Sequence, residues 1–187
     1  MGFDLNNGGF QDFFMKTRTI FLYGEINMAV AYEVGCRLKY LDYIDSNEPI
    51  TMEINSPGGE VSSGLAIIDT MNYIQAPIRT VICGMAASMA ALIAGSGTKG
   101  MRMALPHSKA MIHQPLGGLE ISQATDIEIY ANNILKNKRE LNQMLANICN
   151  KPIEEIERDT DRDYHMNAVE AKEYGLIDGI IQPGKEV

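Results

Sequence analysis

Short apolar runs alternate along this chain with longer segments whose apolar residues recur at helical spacing. Thr19-Ile20-Phe21-Leu22-Tyr23 and Ile50-Thr51-Met52-Glu53-Ile54 have the β-branched and aromatic make-up of strands. Asn27 stands where it can cap a helix running to about residue 43, and residues 61–74 form a second helical stretch closed by Pro77. Ile78-Arg79-Thr80-Val81-Ile82-Cys83 reads as a buried strand. Met89-Ala90-Ala91-Leu92-Ile93-Ala94 follows as a run of good helix formers that stops at Gly95. Met101-Arg102-Met103-Ala104-Leu105 and Ala110-Met111-Ile112 read as short strands, and Asn167-Ala168-Val169-Glu170 as a capping-box variant opening a late helix that Gly175 ends. Alternation of this kind predicts an α/β fold with helices packed on a sheet. The chain carries no internal repeat and no low-complexity segment.

The longest helical pattern spans residues 122–150. Ile127, Ala131, Ile134, Leu141, Leu145 and Ile148 recur in steps of three and four, with one position of the stripe, Lys138, not apolar. Such a stripe ordinarily packs on its own domain.

Composition narrows the class. A chain of 187 residues with 45% hydrophobic residues suits a single domain, residues 1–187, with a substantial core. A net charge of −8 argues against nucleic acid or an anionic membrane surface as partner. No apolar run reaches membrane-spanning length, and Met1-Gly2-Phe3-Asp4-Leu5 lacks the pattern of a secretory signal. Cys36, Cys83 and Cys149 are odd in number and widely spaced, which reads as reduced, mostly buried thiols of a cytoplasmic protein. No Cys/His pair has ligand spacing, so no metal site is expected.

Candidate chemistry lies in separated segments. A serine hydroxyl needs a base to take its proton, a third group to orient that base, and donors for the oxyanion that forms. Ser88 falls between the strand ending at Cys83 and the helix starting at Met89, where unpaired N–H groups and the positive helix end favour negative charge. Taken alone it reads first as a plain helix cap, because serine is common there. His113, at the end of an apolar run and before Gln114-Pro115, is placed to face a cleft or to serve as a structural imidazole. His107 lies in what reads as an exposed turn, and His165 is too near Asp163 in sequence to single out. Asp159, Asp161 and Asp163 are three candidate carboxylates in one acidic run, and spacing does not choose among them. Asn55-Ser56-Pro57-Gly58-Gly59 has the glycines needed to bring backbone N–H groups up to a substrate.

These segments, with Gln123-Ala124-Thr125-Asp126-Ile127-Glu128-Ile129 and Glu170-Ala171-Lys172-Glu173-Tyr174-Gly175-Leu176-Ile177-Asp178, resemble the proteolytic subunit of the ATP-dependent Clp protease over residues 20–181. The resemblance implies Ser88 as nucleophile, His113 as general base and acid, and Asp163 as the group orienting His113. It implies the N–H groups of Gly59 and Met89 as the oxyanion hole. It further implies a spiral of β-β-α units shared with crotonases, and a handle region at residues 119–150 that interlocks with a facing subunit. Two stacked seven-membered rings would enclose the active sites, and the Gly117-Gly118 loop would lie along an extended peptide. Substrates would be unfolded polypeptides delivered by an AAA+ unfoldase, which uses the ATP; the chain itself would need no cofactor.

Three departures bear on partners. Residues 1–18 do not resemble the family's axial-loop sequence, and Asn6-Asn7-Gly8-Gly9 reads as a flexible break. Thr51 and Glu53 stand where the family carries aromatic residues of the unfoldase docking pocket, and an unpaired glutamate opposes burial of an apolar anchor. The loop Leu119-Glu120-Ile121-Ser122 is one residue longer than the common pattern. They suggest a divergent second paralogue working in a mixed ring. Against the active peptidase stand two other readings: a catalytically silent regulatory subunit, and a crotonase-type acyl-CoA enzyme on the same fold, which would leave the serine unexplained.

Overall fold

A computed structural model describes residues 9–117, 123–182 and 184, with side chains from residue 13 onward. The elements run α1 (Gly9–Lys16), β1 (Thr19–Tyr23), α2 (Met28–Ile44), β2 (Ile50–Ser56), α3 (Val61–Tyr73), β3 (Ile78–Ala87), α4 (Met89–Gly95), β4 (Arg102–Ala104), β5 (Lys109–Ile112), α5 (Ala124–Cys149), α6 (Ile153–Asp159), β6 (Tyr164–Asn167), α7 (Ala168–Tyr174) and β7 (Gly179–Ile180). This is a mixed α/β architecture. Among the described residues the sheet has seven strands in the order β1-β2-β3-β4-β7, with β5 pairing both β3 and β6. All pairs are parallel except β5 with β6.

Strand β3 positions the site because it forks. Its first half pairs β4 at Thr80 to Ile82, and its last residues, Met85 to Ala87, pair β5 instead. The chain leaves the sheet between these two neighbours at Ala87 and enters α4 directly. Every residue of α4 is buried, so this helix is apolar all round and lies inside the core rather than on it. Period-two burial along β1 and β2 puts Ile20, Leu22, Ile50, Met52 and Ile54 in the same core cluster. The opposite positions, Phe21, Tyr23, Thr51 and Glu53, are only partly covered.

Local chemistry explains most boundaries. Asn27 Oδ1 accepts from Val30 N–H and starts α2, and Asn167 with Glu170 forms a reciprocal capping box on α7, which Gly175 closes in the left-handed region. Arg102, almost fully buried, pairs with Asp178 at 2.5 Å and donates to the carbonyls of Gly95 and Ile148. Burial alone would raise the Asp178 pKa, but the hydrogen bonds and charge of Arg102 outweigh it and hold the carboxyl below its ordinary value.

Several expectations need correction. Gly9 opens helix α1 rather than belonging to a break; Asn6, Asn7 and Gly8 lie outside the described residues. Only Cys149 is a buried thiol, since Cys36 is exposed and Cys83 half-buried. Of the stripe on α5 only Leu141 and Leu145 are fully buried; Ile134 and Ile148 are half-buried, Ala131 is exposed and Ile127 is 49% exposed. The Leu119-Glu120-Ile121-Ser122 loop and Gly118 lie outside the described residues. No helix among them is long and apolar enough to cross a membrane.

Candidate active site

Ser88 occupies the cap position of α4 but does not cap it: its side chain accepts no hydrogen bond from the helix N–H groups. Its backbone sits at φ 56°, ψ −126°. A non-glycine residue there costs of order 1–3 kcal/mol, and such strain persists only where the surroundings over-determine it. Here they do. Ser88 N–H donates to Met111 O at 2.9 Å across the β3–β5 seam, and its carbonyl accepts from Ala91 N–H at 2.9 Å. The side chain is thereby turned out of both strand and helix.

Facing it is the turn between β2 and α3. Gly58 adopts φ 95°, and a Cβ there would stand 2.7 Å from both Ala87 O and Ser88 Cβ. At Gly59 a Cβ would overlap the carbonyl of Ile26. Only glycine lets these two backbones approach so closely. The turn is pinned on either side: Ile26 N–H donates to Gly58 O, Glu60 N–H donates to Ile26 O, and Gly58 N–H donates to the buried Ser56 Oγ at 3.1 Å. In a parallel bridge of this form the N–H of Gly59 itself points away from Ile26.

Ser88, His113, Asp163, Gly59 and Met89, the five residues singled out in the sequence, line one cavity of about 440 Å³ with Glu25, Leu92, Leu116 and Leu141 among its other walls. His113 follows β5, with its side chain 10% exposed. Its Nδ1 lies 3.8 Å from Asp163 Oδ1, an ion-pair separation rather than a hydrogen bond, and the Asp163 side chain is 62% exposed. The Ser88 hydroxyl and the His113 ring share no hydrogen bond, so the chain of contacts from serine to carboxylate is assembled but open. Catalytic hydrogen bonds are often this loose without substrate.

The structure separates the three aspartates that spacing left open. Asp159 accepts from Tyr174 Oη at 3.0 Å and pairs with Arg158 at 3.2 Å. Burial, followed by that hydrogen bond and charge, pushes the Tyr174 phenol far above its ordinary pKa. Asp161 stands 4.0 Å from the exposed Arg162. Only Asp163 reaches His113. His107 is exposed in a turn, and His165 lies on β6 opposite Met111 with its side chain exposed. Among the described residues no three His, Cys, Asp or Glu side chains gather as a metal site.

Residues the sequence reading missed are the pins. Ser56 fixes the glycine turn, and Asn55 Oδ1 accepts from Met85 N–H at 3.2 Å beside the fork of β3. Gln114 grips the Asp163 loop. The break of alternation at Asn55-Ser56, two polar residues in succession after Ile50-Thr51-Met52-Glu53-Ile54, was the available signal for the first two.

A serine, an imidazole and a carboxylate around one cavity, on an α/β scaffold, are the side chains that a serine-type hydrolase needs. The profile of the Clp protease family matches residues 8–184, and the chain belongs to that family. It is 51% identical over 169 residues to a protein of Synechococcus sp. (strain CC9605) named ATP-dependent Clp protease proteolytic subunit 3, covering 90% of this chain and 84% of that one. It is 52% identical over 164 residues to one of Prochlorococcus marinus (strain NATL2A) named ATP-dependent Clp protease proteolytic subunit 2, covering 88% of this chain and 82% of that one.

Proposed function

We propose that this chain is the peptide-cleaving subunit of an ATP-dependent Clp protease, hydrolysing unfolded polypeptides through an acyl-enzyme at Ser88. The observation that carries this reading is the strained Ser88 backbone at the rim of a cavity that also holds His113 and Asp163. His113 takes the Ser88 proton as Oγ attacks the scissile carbonyl, and Asp163 orients the ring and stabilises the imidazolium. The N–H groups of Gly59 and Met89 receive the oxyanion; Met89 N–H, in the first turn of a buried helix, has no intrahelical acceptor. The tetrahedral intermediate expels the amine, protonated by His113, and water then releases the acyl group by the same steps in reverse roles.

The finer architecture follows the family. The chain is one peptidase domain of β-β-α units, with no cofactor of its own, acting in the cytoplasm. The exposed apolar residues on the first half of α5, Ile127, Ile129 and Leu135, support its role as a handle covered by a facing subunit in two stacked seven-membered rings. An AAA+ unfoldase supplies substrates. Glu53 has no cation within ion-pair distance among the described residues; its contacts are Tyr23 Oη, which donates at 3.4 Å, and the Cys83 thiol. A carboxylate so placed weakens an apolar docking site, and supports partnership with a paralogous subunit that docks better.

The test is labelling of the purified protein by a fluorophosphonate, with the modified residue located by mass spectrometry and Ser88→Ala as control. Modification at Ser88 alone is expected. Modification at another residue, or none at Ser88 even with a paralogous subunit added, would sink the assignment.

A further inference from the structure

The one interruption of the apolar stripe on α5 is Lys138, and the structure gives it a partner. Lys138, half-buried, donates from Nζ to Gln114 Oε1 at 2.9 Å. Gln114 is the residue directly after His113. Its own N–H donates to Thr160 O at 2.7 Å, and its Nε2 donates to Asp161 O at 2.9 Å. One residue, covalently joined to His113, thus holds two carbonyls of the loop that carries Asp163, three and two positions before that carboxylate.

We propose that Gln114 is the positioning residue that sets the separation of His113 from Asp163, and that Lys138 fixes the direction in which its amide faces. This rests on the assignment of Ser88, His113 and Asp163 made above. The physical argument is one of polarity. A glutamine side chain can present either its oxygen or its NH2 to a neighbour. Turned the wrong way, its oxygen would meet the Asp161 carbonyl, two acceptors face to face, and the grip would fail. An ammonium has donors only, so Lys138 holds the amide oxygen toward α5 and leaves the NH2 for Asp161. Among the described residues Lys138 has no carboxylate within ion-pair distance, so its hydrogen bond to Gln114 is not a by-product of an ion pair. The Asp163 side chain is mostly exposed, so its place is set through its backbone: Tyr164 after it pairs with Ile112 in the β5–β6 ladder, and the Gln114 grip holds the two carbonyls before it. Displacing a catalytic group by about 1 Å can cost about 100-fold.

The experiment compares wild type, Gln114→Glu, Gln114→Ala, Lys138→Met, Lys138→Arg and the double variant Gln114→Ala/Lys138→Met in the assembled protein. Readouts are the rate of fluorophosphonate labelling at Ser88 and the kcat and KM for a short fluorogenic peptide. Gln114→Glu keeps the shape and can still meet Lys138, but it cannot donate to Asp161. It is expected to lower kcat and the labelling rate by about 10- to 100-fold, with KM within about twofold. Lys138→Met is expected to lower kcat severalfold and Lys138→Arg to restore it, and the double variant should be no worse than Gln114→Ala alone, because both act through one contact. Matching thermal unfolding of wild type and Gln114→Glu separates positioning from folding. Gln114→Glu at wild-type kcat, additive single effects, or a change confined to KM would overturn the proposal while labelled wild type left the Ser88 assignment intact. A wild type that is never labelled at Ser88 would overturn both.

Discussion

The two walls of the cavity are built by different means. The Ser88 wall is backbone and core: a strained residue locked between a sheet seam and a fully buried helix, faced by a glycine turn that backbone hydrogen bonds hold. The Asp163 wall is a short, exposed segment: Gln114 holds it on one side through its N–H and its side-chain NH2, strand β6 begins on the other at Tyr164 opposite Ile112, and Thr160 Oγ1 donates to Ile156 O at 2.7 Å. A close-packed interior has few alternative arrangements. A loop tethered by a few hydrogen bonds, each contributing about 1 kcal/mol, can be moved at little cost. On the proposed assignment the Ser88 side of the cavity is therefore preformed, while the His113–Asp163 contact, open at 3.8 Å, is its adjustable part.

That contrast can be broken at its strongest point first. Ser88→Ala should lower kcat for peptide cleavage by about 10⁶-fold, and Asp163→Asn by about 10⁴-fold. Neither should change the assembly measured by sedimentation. Asp163→Asn should leave the fluorophosphonate reaction slow yet detectable, since the Ser88 wall does not depend on it. Equal, complete losses of labelling would show the two walls to be one unit. Next, Gly59→Ala forces a Cβ into the Ile26 carbonyl, so the N–H proposed to receive the oxyanion must move. A loss of about 10²- to 10³-fold in kcat is expected, together with a lower Tm, because the rigid wall cannot yield locally. Unchanged kcat would mean that the turn is as soft as the Asp163 loop.

The smallest effect concerns thiols. Burial, then the Glu53 charge and hydrogen bond, raises the Cys83 pKa to about 11, and burial raises that of Cys149 to about 12 against the partial relief of Arg102 and Lys151. Only the thiolate reacts, so iodoacetamide at pH 8 should modify the exposed Cys36 first, Cys83 slowly and Cys149 only after unfolding. Both raised values sit above the unfolded value of 9.0, so their contribution to stability is present below about pH 9 and is lost as pH climbs toward 12. Rapid alkylation of Cys149 in the folded chain would show that the core beneath α4 and α5 opens more readily than its packing implies.

The legible elements were those that carry their own cause. Asn27, the Asn167/Glu170 box and Gly175 mark boundaries by local hydrogen bonding, and β1 and β2 show their burial period directly. Four elements escaped. Strand β7 has two residues and exists because it pairs β4; β6 buries only Met166 and exists because it pairs β5. Helix α6 buries only Ile156, and α1 begins in what reads as a glycine-rich break. No period can show in segments so short or so sparsely buried.

Sequence alone settled which residue types were at hand, where the strand-to-helix junction at Ser88 falls, and which glycines could let backbone approach backbone, because each depends on neighbours a few residues away. It did not settle which of Asp159, Asp161 and Asp163 meets His113, that Ser88 is strained rather than a cap, or why Lys138 interrupts an apolar stripe. Those answers lie in contacts between residues 23 to 50 positions apart, and only a folded chain, with its loops closed by the sheet and by α5, brings such residues within reach.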